Sequence, residues 1–306
     1  MKLFLNREPV TGPWGGGNKT LTELISVAKE QGWEICHTLE PNIDVIFCFD
    51  PRPNARSISH ANLLEYKKKN TCKIIQRVGD VGTHGKPELT ELVKRSVQFS
   101  DFIIFPSNWA RETIEYGKNN FEVIQNAPRG VFRRYRTARP HPEDNIRLIT
   151  HHWSTNVKKG FEFYRWLDAW IENKKVEFTY IGRLPSGFEF NNTRYLPATG
   201  DDELLAKALA HNDIYLTASR EEAGANHVLE GLAAGLPVAF HKAGGSINEY
   251  CDQYGLSFSD KNSFQQTFEK MINNFDLYKG KAMEYNRTVP EVAERYMKII
   301  CNITST

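Results

Sequence analysis

The sequence predicts an α/β protein built from two doubly wound, parallel-sheet domains. Short apolar runs alternate with helical patterns from end to end, the pattern of stacked β-α units whose strands are buried on both faces. The 306 residues are enough for two domains of about 150 residues each. Between Arg133 and Pro142, four arginines and two prolines make a segment that cannot be helical throughout, and it separates one alternating set from the next.

In the first set, strands are expected at 2–6, 33–37, 45–49, 72–77, 101–105 and 121–125. Each is short, rich in β-branched or aromatic residues, and followed by turn residues. The second set should supply strands at 146–151, 176–181, 213–217, 237–240 and, on a weaker pattern, 256–258. Amphipathic helices are expected between them at 19–31, 88–99, 108–118, 160–172, 202–211 and 227–234. Leu21, Leu24, Ile25 and Ala28 follow the i, i+3, i+4, i+7 template. Ser107 is placed to cap the helix starting at Asn108, and Gly117 to stop it. The expected domains are therefore 1–138 and 139–288, with 289–306 as a C-terminal helix able to pack back on the first domain.

Composition excludes several classes of function. There are 39 basic and 37 acidic residues, a net charge of +2, so no polyelectrolyte character points to stable nucleic-acid binding. The charge is uneven: residues 1–144 hold 21 basic and 17 acidic residues (+4), leaving 18 and 20 (−2) for the remainder. No apolar run reaches the roughly 18–20 residues of a membrane span, and the start of the chain is too short for a signal peptide, so a cytoplasmic location is expected. The five cysteines are scattered, with no Cys-x-x-Cys pair, which disfavours a disulfide framework and a zinc cage. Asp-x-Asp and His-Glu-x-x-His are absent, and no metal is expected. A dinucleotide fingerprint after Gly15-Gly16-Gly17 fails at Thr20, and a Walker motif at Gly85-Lys86 fails at Asp80 and Pro87. His151 and His152, adjacent on a strand, should point to opposite faces.

Residues 213–238 carry the most chemistry. A strand ends at Ser219, a loop of small residues follows, and a helix begins near Asn226. Gly224, between Ala223 and Ala225, lets a ligand approach the backbone amides of Ala225, Asn226 and His227 at the positive end of that helix, a setting for a phosphate or diphosphate. Glu222 and Glu230 flank the loop; carboxylates are acceptors, so they suit hydroxyls, Glu222 those of a sugar and Glu230 those of a ribose.

Glu222-x7-Glu230, followed by Gly-Leu-Ala-Ala-Gly-Leu-Pro-Val and by Ala243-Gly244-Gly245-Ser246-Ile247-Asn248-Glu249, resembles the C-terminal signature of family 4 glycosyltransferases. Trp14-Gly15-Gly16-Gly17-Asn18 resembles that family's glycine loop, Lys159-Gly160 its Lys-Gly at the second domain's first helix, and Asn126-Ala127-Pro128 its inter-domain turn. The resemblance covers nearly the whole chain in order. It implies a GT-B fold, with two Rossmann-like domains facing a central cleft, and a retaining, metal-independent transfer of a sugar from a nucleoside diphosphate sugar, with no other cofactor. On this reading Lys159 and the 225–227 amides stabilise the leaving diphosphate, Glu222 holds the donor sugar, Glu230 anchors the nucleoside, and Gly15, Gly16, Gly17 and Asn18 border the acceptor and the diphosphate.

Two departures stand out. The arginine that often precedes the lysine is missing, so Arg183, or Ser154 with Lys158, must assist at the diphosphate. The histidine common after the first domain's fourth strand is also missing; Asp80 is the candidate acceptor-side base or hydroxyl anchor, with His84 as its rival. The acceptor hydroxyl is expected on a glycan, a lipid or another molecule, with peripheral membrane contact as one setting. A phosphorylase or epimerase of the same architecture is an alternative. A nucleic-acid-associated protein, including a DNA-modifying sugar transferase, is a second, motivated by Arg133, Arg134, Arg136 and Arg139.

Overall fold

Strands β1 (Lys2–Leu5), β2 (Glu34–Cys36), β3 (Val45–Cys48), β4 (Lys73–Arg77), β5 (Phe102–Phe105) and β6 (Phe121–Val123) form one six-stranded sheet in the computed structural model, which describes residues 1–10, 16–53, 58–137, 142 and 145–305. Helices α1 (Gly16–Glu30), α2 (His60–Lys67), α3 (Pro87–Phe99) and α4 (Asn108–Thr113) connect these strands. The order is β2-β1-β3-β4-β5-β6, every pair parallel. Leu3, Phe4, Leu5 and residues 45–48 are buried, so the strands read as continuous apolar runs because helices cover both faces. Ser59 and Ser107 start α2 and α4 by accepting the Asn62 and Ala110 amides, and Pro87 opens α3, where its missing N–H is not needed.

After α5 (Gly130–Arg134), the second sheet comprises β7 (Ile146–His152), β8 (Val176–Gly182), β9 (Arg194–Pro197), β10 (Ile214–Thr217), β11 (Val238–His241) and β12 (Gly255–Phe258). Its helices are α6 (Phe161–Trp170), α7 (Asp202–Ala210), α8 (Asn226–Ala233), α9 (Ser246–Cys251), α10 (Lys261–Asn273) and α11 (Phe275–Met283), and α12 (Val289–Thr304) ends the chain. This sheet is also parallel, in the order β12-β11-β10-β7-β8-β9. One compact unit spans Met1–Ala127 with Thr288–Thr306, the other Pro128–Arg287. Within the first, α12 packs on α1 and β4, Tyr296 stacks on Phe47 at 5.6 Å, and Arg295 pairs with Glu122.

The division between units therefore falls eleven residues before the expected 138/139 boundary, and the described part of the arginine-rich stretch belongs to the second unit. Gly130–Arg134 is helical. Arg136 donates to the carbonyl oxygens of Ala233 (3.0 Å), Met283 (2.6 Å) and Tyr285 (2.6 Å), at the ends of α8 and α11. A cation there satisfies orphan carbonyls and meets the negative end of each helix dipole. Arg133 donates to the Arg287 carbonyl at 3.1 Å; Arg139 lies outside the described residues. Strand β9 had no sequence signal: at the sheet edge, largely exposed and ending in Pro197, it lacks the apolar run that marks its neighbours. Among the described residues, no helix is long and apolar enough to cross a membrane, no group of three metal-ligating side chains gathers, and all five cysteines are unpaired.

In each sheet the chain leaves a central strand in both directions, between β1 and β3 in the first unit and between β7 and β10 in the second. The crevice beyond the carboxyl ends of strands at such a switch point is where open α/β sheets bind ligands.

Candidate active site

In the second unit, three segments meet at this switch point. The first follows β7: a single 3-10 turn, Val157–Lys159, capped by the Asn156 side chain, leads into Gly160 at φ +84°. A Cβ at Gly160 would lie 2.6 Å from the Ala218 carbonyl oxygen, so this position combines a left-handed backbone with close strand approach, and glycine meets both demands. Gly160→Ala should cost about 1–3 kcal/mol of stability and displace Lys159, so a denaturant melt and a turnover measurement should fall together.

The second segment is the loop between β10 and α8, and the third is the Ala243–Ser246 turn. They are joined through backbone: Glu221 N–H donates to the Ala243 carbonyl (2.8 Å), Glu222 N–H to Gly244 (3.1 Å) and Ser246 N–H to Glu222 (2.8 Å). The Ser246 hydroxyl takes the Ala225 N–H at 3.2 Å. Glu221 is held at φ +55°, an uncommon conformation for a side-chain-bearing residue, and its carboxylate pairs with Lys158. This scaffold presents Glu222 to Lys159, whose Nζ lies 2.5 Å from Oε1, both side chains about seven-eighths buried.

Glu230 sits one turn into α8, facing His151. Its Oε2 is 2.7 Å from His151 Nε2. A carboxylate only accepts, so the His151 Nε2–H donates to Glu230, while the Tyr215 hydroxyl accepts the His151 backbone N–H (3.2 Å) and meets Nδ1 at 3.1 Å. Sequence reading missed His151 as Glu230's partner. The available signal was its position at the carboxyl end of a central strand.

His227 binds the Thr217 hydroxyl through Nε2 at 3.1 Å and stands 5.0 Å, ring to ring, from His152. Burial pushes its pKa down to about 3, with Glu222 and Glu230 raising it and Lys159 and His151 lowering it. Both predicted glutamates and the predicted lysine thus gather around this imidazole. Burial, then the neighbouring His227 and Lys159, push the His152 pKa well below its usual value; its Nε2 meets the Tyr164 hydroxyl at 2.7 Å. In the first unit His60 is lowered to about 4, again by burial and then by Lys67. Unfolded histidines titrate near 6.5, so the unfolded state takes up protons first: stability is full above that pH and lost as pH falls toward 4 and then 3. The melting temperature should decline below about pH 6.5, with a shallower slope in a His60→Asn, His227→Gln variant.

Three buried polar atoms near this site have no hydrogen-bond partner among the described residues: His152 Nδ1 at the end of β7, Ser219 Oγ after β10, and Asn226 Oδ1 at the start of α8. Buried polar groups are rarely left so, and these three sit on the segments that a ligand at the switch point would reach. The amides opening α8 follow Ala225, which offers no side-chain cap, and Gly224 precedes them. Beside this region lies a small, open recess lined by His151, His152, Trp153, Gly182, Ala198 and Thr199, among others.

The other sequence-predicted residues are placed as follows. Ser154 is exposed, and its hydroxyl caps the turn by accepting the Asn156 N–H at 3.1 Å. Arg183 is exposed beyond β8, its N–H donating to the His152 carbonyl at 3.2 Å. In the first unit Asp80 accepts the Gly82 N–H (2.9 Å) and pairs with Lys86 (2.8 Å). Burial raises its pKa, but these two bonds outweigh it and hold the carboxyl below its usual value, which favours a hydroxyl anchor over a base. Asn18 clasps the Val10 backbone at 2.7 and 2.8 Å. Gly16 and Gly17 open α1; Trp14 and Gly15 lie outside the described residues.

No family model matches the chain, and none of the curated proteins matches it by sequence. Its fold has close counterparts among solved structures. HepE from Anabaena, in complex with UDP, is 14% identical over 98% of this chain and 99% of that one, with a TM-score of 0.67. AviGT4, a glycosyltransferase involved in avilamycin A biosynthesis, is 14% identical over 99% and 98%, at 0.63. WaaG, a glycosyltransferase involved in lipopolysaccharide biosynthesis, is 15% identical over 98% and 99%, at 0.62. Two six-stranded parallel sheets with their connecting helices thus give this chain the GT-B fold of those glycosyltransferases.

Proposed function

We propose that the protein is a retaining glycosyltransferase that moves a sugar from a nucleoside diphosphate sugar to an acceptor hydroxyl without a metal ion. The observation that carries this reading is the pair of carboxylates at the second unit's switch point, Glu222 held by Lys159 and Glu230 held by His151. Each is an oriented acceptor, suited to hydroxyls. Between them the uncapped start of α8 supplies amide donors for a diphosphate, and HepE, of the same fold, was solved with UDP and with UDP-glucose.

As the bond from the anomeric carbon to the diphosphate stretches, negative charge grows on the leaving oxygens. Fixed positive groups then stabilise the transition state more than the ground state. Lys159 has three donors, enough to keep Glu222 and still reach a phosphate oxygen. Glu222 holds the donor sugar and Glu230 takes the ribose hydroxyls. Retention of configuration rests on the likeness of the Glu222-x7-Glu230 stretch to family 4 enzymes. Asp80 anchors the acceptor in the first unit.

A thermal-shift screen with UDP, GDP, CDP and ADP sugars tests the donor class. A donor at 100 times its Kd should stabilise the protein by about 2.7 kcal/mol. No shift with any of the four would remove the basis of this proposal.

A further inference from the structure

Glu221 has a backbone conformation that is uncommon for a residue with a side chain, and its place in the fold does not account for it. Among the described residues, four non-glycines have positive φ: Asn42, Glu115, Asn173 and Glu221. Asparagine tolerates the left-handed region. Glu115 follows the end of α4, where its N–H donates to the Glu112 carbonyl (3.0 Å) and the Tyr116 N–H to that of Arg111 (3.2 Å), the ordinary left-handed helix ending. Glu221, at φ +55°, ends no helix and lies in the loop after β10. Glycine adopts such a backbone freely and glutamate does not, so a glutamate kept there points to a use for its side chain.

That side chain pairs with Lys158, the lysine 36% and the glutamate 35% exposed. The next residue of each segment forms the inner pair, Lys159 with Glu222, 12% and 13% exposed. Two adjacent lysines thus meet two adjacent glutamates, each pair spanning 63 residues. Along an extended strand, adjacent side chains point to opposite faces; here the 3-10 turn Val157–Lys159 and the left-handed Glu221 let both pairs form. The backbones are tied beside them: Arg220 N–H donates to the Lys158 carbonyl at 2.8 Å, and Asn156 Oδ1 accepts the Lys158 N–H at 2.9 Å. The same four charges have two other pairings, Lys158 with Glu222 or Lys159 with Glu221. Flexible ammonium stems can reach either at similar Coulomb energy, and either would part Lys159 from Glu222.

We propose that Lys158 and Glu221 are positioning residues: their ion pair decides which lysine meets Glu222 and so holds the Lys159 ammonium in the site. Lys158, occupied by Glu221, does not compete for Glu222; Glu221, occupied by Lys158, does not draw Lys159 outward. A pair so exposed adds little to stability, and its contribution is to exclude the wrong pairings. Lys158 therefore acts through Lys159 and Glu222, not by touching a diphosphate. The consequence for turnover rests on the transferase reading above; the choice of pairing does not.

The test compares Glu221→Gly, Lys158→Met and the double variant in the full chain. Glycine suits φ +55° and only a partly exposed pair is lost, so the melting temperature of Glu221→Gly should stay within about 3 °C of the parent. Acetylation by acetic anhydride, read residue by residue by mass spectrometry, reports the Lys159 amine without any substrate. In each single variant the released charge competes with the inner pair, and Lys159 should be acetylated about threefold faster or more. The double variant releases neither charge, so its rate should return to within about twofold of the parent. UDP release from UDP-glucose should follow the same pattern, with kcat down about tenfold in each single variant, KM little changed, and kcat in the double variant above either single one. Unchanged acetylation of Lys159 in both single variants, or losses that add in the double variant, overturns the proposal. So does a Lys158→Met protein that keeps Lys159 protected but binds UDP about tenfold more weakly, which would assign Lys158 to the diphosphate. If the unaltered protein binds none of the UDP, GDP, CDP and ADP sugars, the transferase reading fails while acetylation still decides the pairing.

Discussion

Lys159→Ala should lower kcat by about 100-fold or more, the ~3 kcal/mol typical of one donor aimed at a developing oxyanion, with the fold retained. The lysine is set by two local devices: the Asn156-capped turn that ends on it and the left-handed Gly160 that follows. Neither depends on its side chain, so circular dichroism and the melting curve should change little. Turnover should suffer twice. The diphosphate loses a cation, and Glu222, about seven-eighths buried, loses the ammonium at 2.5 Å and so presents more negative charge to an anionic donor. Lys159→Arg keeps the charge but exchanges a compact ammonium for a planar fork, and should recover only part of the loss. Turnover of the alanine variant within about threefold of the parent, where the mechanism requires about 100-fold, would remove Lys159 from the chemistry.

Much of this arrangement was legible in the residue pattern, for reasons that differ between elements. Buried parallel strands such as Val45–Cys48 and Ile214–Thr217 are apolar on both faces, so a short β-branched run announces them. Glu222 and Glu230 were readable because a strand, a small-residue loop and a helix start stand consecutively in sequence. What the pattern hid depends on distance along the chain. His151 and Glu230 are 79 residues apart, and two adjacent histidines on a strand carry no mark of their partners. The same holds for Arg136, whose proline-rich setting resembles a linker although its guanidinium closes the ends of two helices more than 90 residues away. Asp80 was readable as a candidate base or hydroxyl anchor, but not the Lys86 ammonium beside it at 2.8 Å, which comes from a turn whose direction the sequence does not encode. Helix α10 was missed although Asp260 and Ser263 form a capping box, because its interior is polar and its apolar face narrow.

Glu230→Ala is expected to weaken UDP binding by about 10- to 100-fold, since hydrogen bonds to an ionised acceptor are worth about 1.5–3 kcal/mol, while kcat at saturating donor changes far less. In the proposed mechanism Glu230 contacts the nucleoside equally in the ground and transition states, which would make its contribution uniform binding. This separates it from Lys159, whose loss should appear in kcat. The structure adds a second consequence. Alanine leaves the His151 Nε2–H buried without an acceptor, a cost of about 1–3 kcal/mol, so the melting temperature should fall as well. Glu230→Gln separates the two effects: its amide oxygen still accepts from His151 and preserves the fold, but a neutral acceptor holds ribose hydroxyls less tightly. His151→Ala removes that donor from the carboxylate instead and should lower stability and UDP affinity together. If Glu230→Gln and Glu230→Ala both bind UDP as tightly as the parent, the carboxylate serves only the His151–Tyr215 network, and the nucleoside must be held by other groups at the switch point.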